Sequence, residues 1–215
     1  MNFKQLKNRL KQPFMPFIYY CRRLFLKNTD FSIISNNCWG GFVYQHFGLE
    51  YRTPFIGLFI NTPCYIKLLK NIDLIYEDLR FIQASESHYI TNMKEADIYD
   101  KYPIGVLGAD IEIHFLHYSN AEEARMKWEK RLRRLNRKNL LVKFNQTGFL
   151  PTLLAEFDQL PYKNKICFTA QEFPEIKSAI FLPRFRHENQ VRFEHRYYRK
   201  HMNIAKYLNS MINEA

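Results

Sequence analysis

No uninterrupted apolar run in the sequence approaches the ~18 residues that a membrane-crossing helix needs, so no bilayer span is expected. A secretory signature is missing too. Residues 1–29 are basic, but Lys11, Gln12, Pro13 and Pro16 interrupt their apolar residues, where a signal peptide keeps an unbroken core. Cysteine is sparse: Cys21, Cys38, Cys64 and Cys167 are widely separated and follow no metal-ligand spacing. That argues against a disulfide framework and fits a reducing cytoplasm. The chain also lacks a Walker loop, a dinucleotide fingerprint and a Gly-x-Ser-x-Gly elbow. Neither a zinc finger, an aromatic RNA-binding signature nor a heptad zipper occurs, which leaves nucleic acid a minor reading despite the basic charge.

What is present is a core-forming composition. Of 215 residues 47% are hydrophobic, and 19 Phe and 14 Tyr demand a sizeable interior. The net charge of +11 favours anionic partners: phosphates, nucleotides, acidic glycans or lipid headgroups. Phe31–Ile34 reads as a buried first strand, followed by a short helix over Gly40–Gly48 and a second buried strand over Phe55–Ile60. Thr62-Pro63 opens a helix that runs to about Arg80, and Phe81–Ala84 is a third strand. Ile104–Leu107 and Ile111–His117, joined through Gly108-Ala109-Asp110, form a hairpin. Ser119 with Glu122, or Asn120 with Glu123, is a capping box for the clearest helix, whose apolar face is Ala121, Ala124, Trp128, Leu132 and Leu135. Strands over Leu140–Phe144, Lys165–Phe168 and Ser178–Phe181 and helices over Phe149–Phe157 and Tyr198–Ile212 follow. The alternation predicts an α/β fold of three layers: a mostly parallel sheet, helices on both faces, and an antiparallel hairpin. Residues 1–29 are read as a basic N-terminal helical segment and 30–215 as one α/β domain, whose tail beyond about Phe144 is a candidate subdomain. Within the first segment, Phe17–Lys27 is either an interfacial helix or one packed on the domain.

Two constellations are candidates for chemistry. Ser35-Asn36-Asn37-Cys38-Trp39-Gly40-Gly41 occupies the turn after the first strand, where an α/β sheet presents unpaired N–H groups to ligands. Asn36 and Asn37 tolerate unusual backbone angles, Gly40 and Gly41 permit close approach, and Trp39 offers a face for a sugar or base. Cys38 before a helix N-terminus is a candidate nucleophile with a dipole-favoured thiolate. The alternative is a small buried hydrophobe beside a tight turn. In the second constellation His114 and His117 are candidate general bases, and Asp110 or Glu112 a candidate orienter. Strand periodicity places His114 and His117 on opposite faces, which disfavours joint metal ligation and leaves structural histidines as the alternative. The basic helix face from Arg125 to Lys138 is a solvated surface or an anion clamp, and the segments Arg184–His187 and Arg192–Arg199 are similar.

Ile34–Gly41, Leu49–Phe59, Tyr102–Gly105, Ile113–Tyr118 and Trp128-Glu129-Lys130-Arg131, taken in order, resemble the bacterial domain of unknown function DUF1919, a family often labelled exopolysaccharide biosynthesis protein. The resemblance covers most of the chain from about Asp30. It implies an α/β fold and a setting in capsule or exopolysaccharide synthesis, without assigned catalytic residues. The Asn-Cys turn is also loosely similar to a papain-like peptidase family and to a capsule family whose Gly-Asn-Cys-Gln turn binds coenzyme A. Asn36-Asn37-Cys38-Trp39 departs from both, so neither activity carries over. Two functions are expected in consequence. One is a cytoplasmic transferase that takes a nucleotide-sugar or coenzyme A-type donor. The other is a non-catalytic accessory protein, peripheral to the inner membrane, that docks on anionic lipid or on a glycosyltransferase.

Overall fold

The computed structural model describes residues 12–146 and 151–211. The leader before Gln12, Phe149 at the expected start of one helix, and Ile212 lie outside them. Helix α1 (Met15–Arg23) precedes strand β1 (Ser32–Ser35) and helix α2 (Trp39–Phe47). Helix α3 (Thr62–Lys70) has Pro63 in its first turn and gives way to a 3-10 turn at Ile72–Tyr76. Then come β2 (Arg80–Ile82), α4 (Ile90–Glu95), β3 (Ile104–Leu107) and β4 (Ile111–His114). Helix α5 (Ala121–Leu132) starts where Asn120 Oδ1 accepts from the Glu123 amide while Glu123 accepts from the Ser119 amide. The last elements are β5 (Leu140–Asn145), α6 (Pro151–Gln159), β6 (Lys165–Thr169), β7 (Ala179–Phe181) and α7 (Ile204–Asn209).

The strands form two sheets. Strands β1-β5-β6-β7 are parallel in that order, and β2-β3-β4 are antiparallel. Helices cover both faces of the parallel sheet, as alternating strand side chains dictate. Ile34, Val142, Phe144 and Cys167 face α3, α5 and α6, joining Tyr65, Trp128 and Phe157 in one core. Ile33, Leu141, Ile166 and Phe168 face α2 and the C-terminal segment, joining Trp39, Tyr44, Tyr198 and Leu208 in the other. The fold is α/β, with the hairpin as an antiparallel part.

The expected antiparallel hairpin is present and pairs with Arg80–Ile82 to make the second sheet. The helix opened by Thr62-Pro63 ends at Lys70 rather than near Arg80. Phe55–Ile60 is no regular strand, because Gly57 sits at φ +70° and turns the chain. What remains of its pairing joins the two sheets: Phe59 exchanges both backbone hydrogen bonds with His114, at 2.8 and 2.9 Å, and the Ile60 amide donates to Asn36 O at 2.9 Å.

From β1 the chain passes into α2 on one face, and from β5 it passes into α6 on the opposite face. The carboxyl ends of β1 and β5, neighbours in the sheet, are therefore a topological switch point, the place where such sheets open a crevice.

Candidate functional site

At the switch point Asn36 extends the ladder with its side chain. Its Oδ1 accepts from the Asn145 amide at 3.0 Å, and its Nδ2 donates to the Asn145 carbonyl at 3.3 Å. Asn37 is equally engaged: its Oδ1 accepts from Trp39 N, Ser35 Oγ and Lys143 Nζ, while its Nδ2 donates to Glu194 Oε1 at 2.8 Å. Lys143, across from Ser35 in the β1–β5 register, is 0% exposed and donates to Glu194 at 2.6 Å. Burial pushes the Lys143 ammonium down despite the pull of Glu194. Burial also pushes Glu194 up, but the Lys143 charge and the hydrogen bonds from Lys143 and Asn37 outweigh it and hold the carboxyl below its ordinary range. This charged floor sits directly behind the thiol-bearing turn.

The floor explains why most of the expected ligand residues face inward. Ser35, Asn36, Trp39, Gly40 and Gly41 are buried. Trp39 packs edge-on against Phe168 and Tyr198, with the Lys143 ammonium 5.7 Å from its ring, so its face is not free to stack on a sugar or base. Gly40 packs closely on β1, where a Cβ would lie 3.1 Å from Ile33 Cγ2.

Cys38 differs from its neighbours. It is the N-cap residue of α2, partly exposed, and its Sγ lies 3.7 Å from Leu58 O. Together with Gly41 it lines a cavity of about 360 Å³. His117 lines the same cavity, held by its amide's 3.1 Å hydrogen bond to Gly57 O. The rest of the wall is aromatic and cationic. Arg131 donates to Tyr118 Oη at 2.5 Å and lies 5.2 Å from the Tyr51 ring centre; Lys127 lies 5.6 Å from that of Tyr118. Gln45 donates to Tyr51 Oη at 2.9 Å, and Phe42 at the rim stacks on His195 at 3.9 Å. No carboxylate is among the described lining residues, and although Glu123 just outside them pairs with Lys127, the Arg131 guanidinium gives the cavity a preference for an anion.

Burial pushes the Cys38 thiol up from its ordinary range against the helix dipole, and the charge of Glu194 adds to that; Lys143 and a backbone hydrogen bond at Gly57 oppose it without prevailing. Cys38 is therefore a neutral thiol at neutral pH, and chemistry there needs a base.

A model of the family described as Domain of unknown function (DUF1919) matches residues 8–213, nearly the whole chain. The chain belongs to this family. An uncharacterized protein of Haemophilus influenzae is 32% identical to this DUF1919 chain over 191 residues, which covers 88% of the chain and 85% of the relative.

In this DUF1919 protein the other expected catalytic residues lie apart from Cys38. His114 is 2% exposed, 3.3 Å from Asn61 Nδ2 and 3.7 Å from Glu112, with Tyr89 and Tyr102 edge-on to its ring. Burial lowers its pKa against the attraction of Glu112. Glu112 is occupied by Ser87 Oγ at 2.5 Å and the His88 amide at 2.7 Å. Asp110 pairs with Lys67 at the surface. Neither carboxylate is among the residues lining the cavity with His117, so neither is in place to orient that imidazole. Of the two constellations, the structure brings together Cys38, Gly41 and His117.

Sequence reasoning did not single out Tyr118, Tyr51, Lys143 and Glu194 as site residues of this DUF1919 protein, and it held Lys127 and Arg131 only within the face from Arg125 to Lys138, a solvated surface or an anion clamp. One signal was available: Lys143 is a lone charge inside the otherwise apolar strand Leu140–Phe144. For Arg131 and Lys127 the signal was the basic face itself, whose many cations do not say which of them meet a cavity. Among the described residues, no helix is long and apolar enough to cross a membrane.

Proposed function

We propose that this cavity binds a phosphate-bearing acyl donor of the coenzyme A type and that the protein transfers the acyl group to a hydroxyl acceptor. Surface-polysaccharide assembly is the setting that the family resemblance implies. The observation that carries the reading is the convergence of Cys38, His117, Lys127 and Arg131 on one aromatic-walled cavity without a carboxylate in its lining. In this mechanism Arg131 holds the donor phosphates with the planar geometry that phosphate favours, and Lys127, paired with Glu123 at rest, turns to join it.

His117 takes the proton of the neutral Cys38 thiol as sulfur attacks the donor's thioester carbonyl. The donor thiolate leaves with that proton, and the acyl group stays on sulfur. The acceptor hydroxyl then attacks the new thioester while His117 again removes the proton, and Cys38 is regenerated as a thiol. The amides of Gly40 and Gly41 open α2, where helical geometry leaves N–H groups without an intrahelical acceptor and favours a developing oxyanion.

The experiment is a thermal-shift series with coenzyme A, acetyl coenzyme A and nucleotide sugars, joined to intact-mass analysis. A donor at 100 times its Kd stabilises the fold by about 2.7 kcal/mol. Arg131→Ala is expected to abolish the shift, and Cys38→Ala to abolish a covalent acyl adduct. Stabilisation by nucleotide sugars alone would move the reading to sugar transfer. No shift with any phosphorylated ligand, and unaltered polymer composition in cells carrying folded Cys38→Ala and His117→Ala, would remove it.

A further inference from the structure

The first helix of the described chain is built the wrong way round for a helix that merely packs on a domain. Its inward stripe is Met15, Ile18, Tyr19, Arg22, Arg23 and Leu26, all partly buried, with no fully buried residue in the helix. Its outward stripe is aromatic: Phe14, Phe17 and Tyr20 are exposed, followed by Leu24 and Phe25, with Phe17 and Phe25 at 68% and 71%. Single exposed apolar residues are ordinary, but five within twelve positions make a patch that marks a contact.

The helix is nevertheless held firmly. Arg22 donates to His46 O at 2.9 Å, and Arg23 donates to Phe47 O and Gly48 O at 3.1 Å each, so the two guanidiniums grip the carbonyl end of α2. Tyr19 lies over Gly48, where a Cβ would come within 2.5 Å of its ring. Beyond the helix the Lys27 amide donates to Asn209 Oδ1 and Asn209 Nδ2 donates to Phe25 O, both at 2.7 Å, which ties the strap to α7. The aromatic stripe therefore faces outward by construction.

Charge decides what it faces. Residues 12–29 contain Arg22, Arg23 and Lys27 and no Asp or Glu; residues 195–211 contain Arg196, Arg199, Lys200 and Lys206 and again no Asp or Glu. Phe25 lies between these sets, lining one cavity with Arg22 and Arg199 and another with Lys27 and Lys206. The nearest acids on the flanks are already paired, Asp30 with Arg52 and Glu194 with Lys143. A second copy of the chain seated here across a twofold axis would set these cations against themselves.

We propose that α1 and the adjoining C-terminal segment dock the protein on an anionic lipid surface, aromatic rings among the headgroups and basic side chains against their phosphates. The docking face is separate from the Cys38 cavity and stands or falls without it. The test is flotation of the full-length protein with vesicles of phosphatidylcholine alone or with about one third phosphatidylglycerol, at low and high salt. Binding is expected only to the anionic vesicles and is expected to weaken as salt shortens the Debye length. Phe17→Ser with Phe25→Ser abolishes it, and Lys206→Ala weakens it by about fivefold, the usual effect of one basic residue at such a surface. All three side chains are solvent-exposed, so folding is expected to be intact and is checked by circular dichroism. Equal binding to neutral vesicles, or full binding by the folded double variant, overturns the proposal. So does a concentration-dependent dimer that the double variant abolishes while the wild type ignores vesicles, which would assign the face to a second copy.

Discussion

His114 and His117 are three residues apart and have opposite fates. His114 ends β4 inside the protein, ringed by tyrosines, with burial holding it neutral, and the carboxylate beside it is already taken by Ser87 and His88. His117 follows the turn outward and lines a cationic cavity beside a thiol. The same contrast separates the charged floor beneath Cys38 from the cavity beside it. Asn36, Asn37, Lys143 and Glu194 in the floor bond to one another or to neighbouring groups of the fold; the groups left for a partner are few and stand at its surface. The comparison teaches that residue type and strand parity nominate candidates, whereas the end of the strand decides which are available.

The closed side is expected to govern stability, and its largest test is Lys143→Ala. Leaving Glu194 charged and buried without its partner should cost about 3–5 kcal/mol, read from urea midpoints. Lys143→Met combined with Glu194→Gln should cost clearly less than the sum of the single changes; additive losses would break the picture of a coupled pair. Glu112→Ala should cost about 3 kcal/mol, because it orphans both Ser87 Oγ and the His88 amide. The open side should behave otherwise. His117→Ala, at an exposed position, should change stability by no more than about 0.5 kcal/mol while removing acyl transfer, and a loss as large as that of Glu112→Ala would erase the distinction.

The smallest effect sharpens the boundary between the two sides. Since burial and then Glu194 push the Cys38 thiol up from its ordinary range, alkylation by iodoacetamide should climb at higher pH than for a free cysteine. Glu194→Gln removes the negative charge and should shift the inflection downward. An inflection below that of a free cysteine in the wild type would mean an activated thiolate instead.

Much of the fold was legible because local chemistry and tertiary context agreed. Phe31–Ile34 is a compact apolar run and became β1; Asn120 with Glu123 is a capping box and opens α5; Ile104–His117 alternates and forms the hairpin. Phe55–Ile60 was not legible, since a short apolar run does not reveal that Gly57 will adopt a positive φ and leave only Phe59 to pair. Nor does alternation say which of two sheets a hairpin joins. For the site, Cys38 and His117 were readable as residue types, but their partners were not. Arg131 looks like any other cation on a basic helix, and only the close approach of Tyr51 and Tyr118 turns it toward a cavity. Asn36 and Asn37 were legible as unusual but carried the wrong meaning: their amides complete a ladder and a charge network inside the protein.

Helix α2 has one further consequence. Cys38 caps its first turn, and Arg22 and Arg23 grip the carbonyls at its last. With nine residues it spans about 13 Å, so the thiol and the arginine grip of α1 stand at opposite ends of one short rod. Any movement of α1 would therefore be passed along this helix toward the turn that carries the thiol.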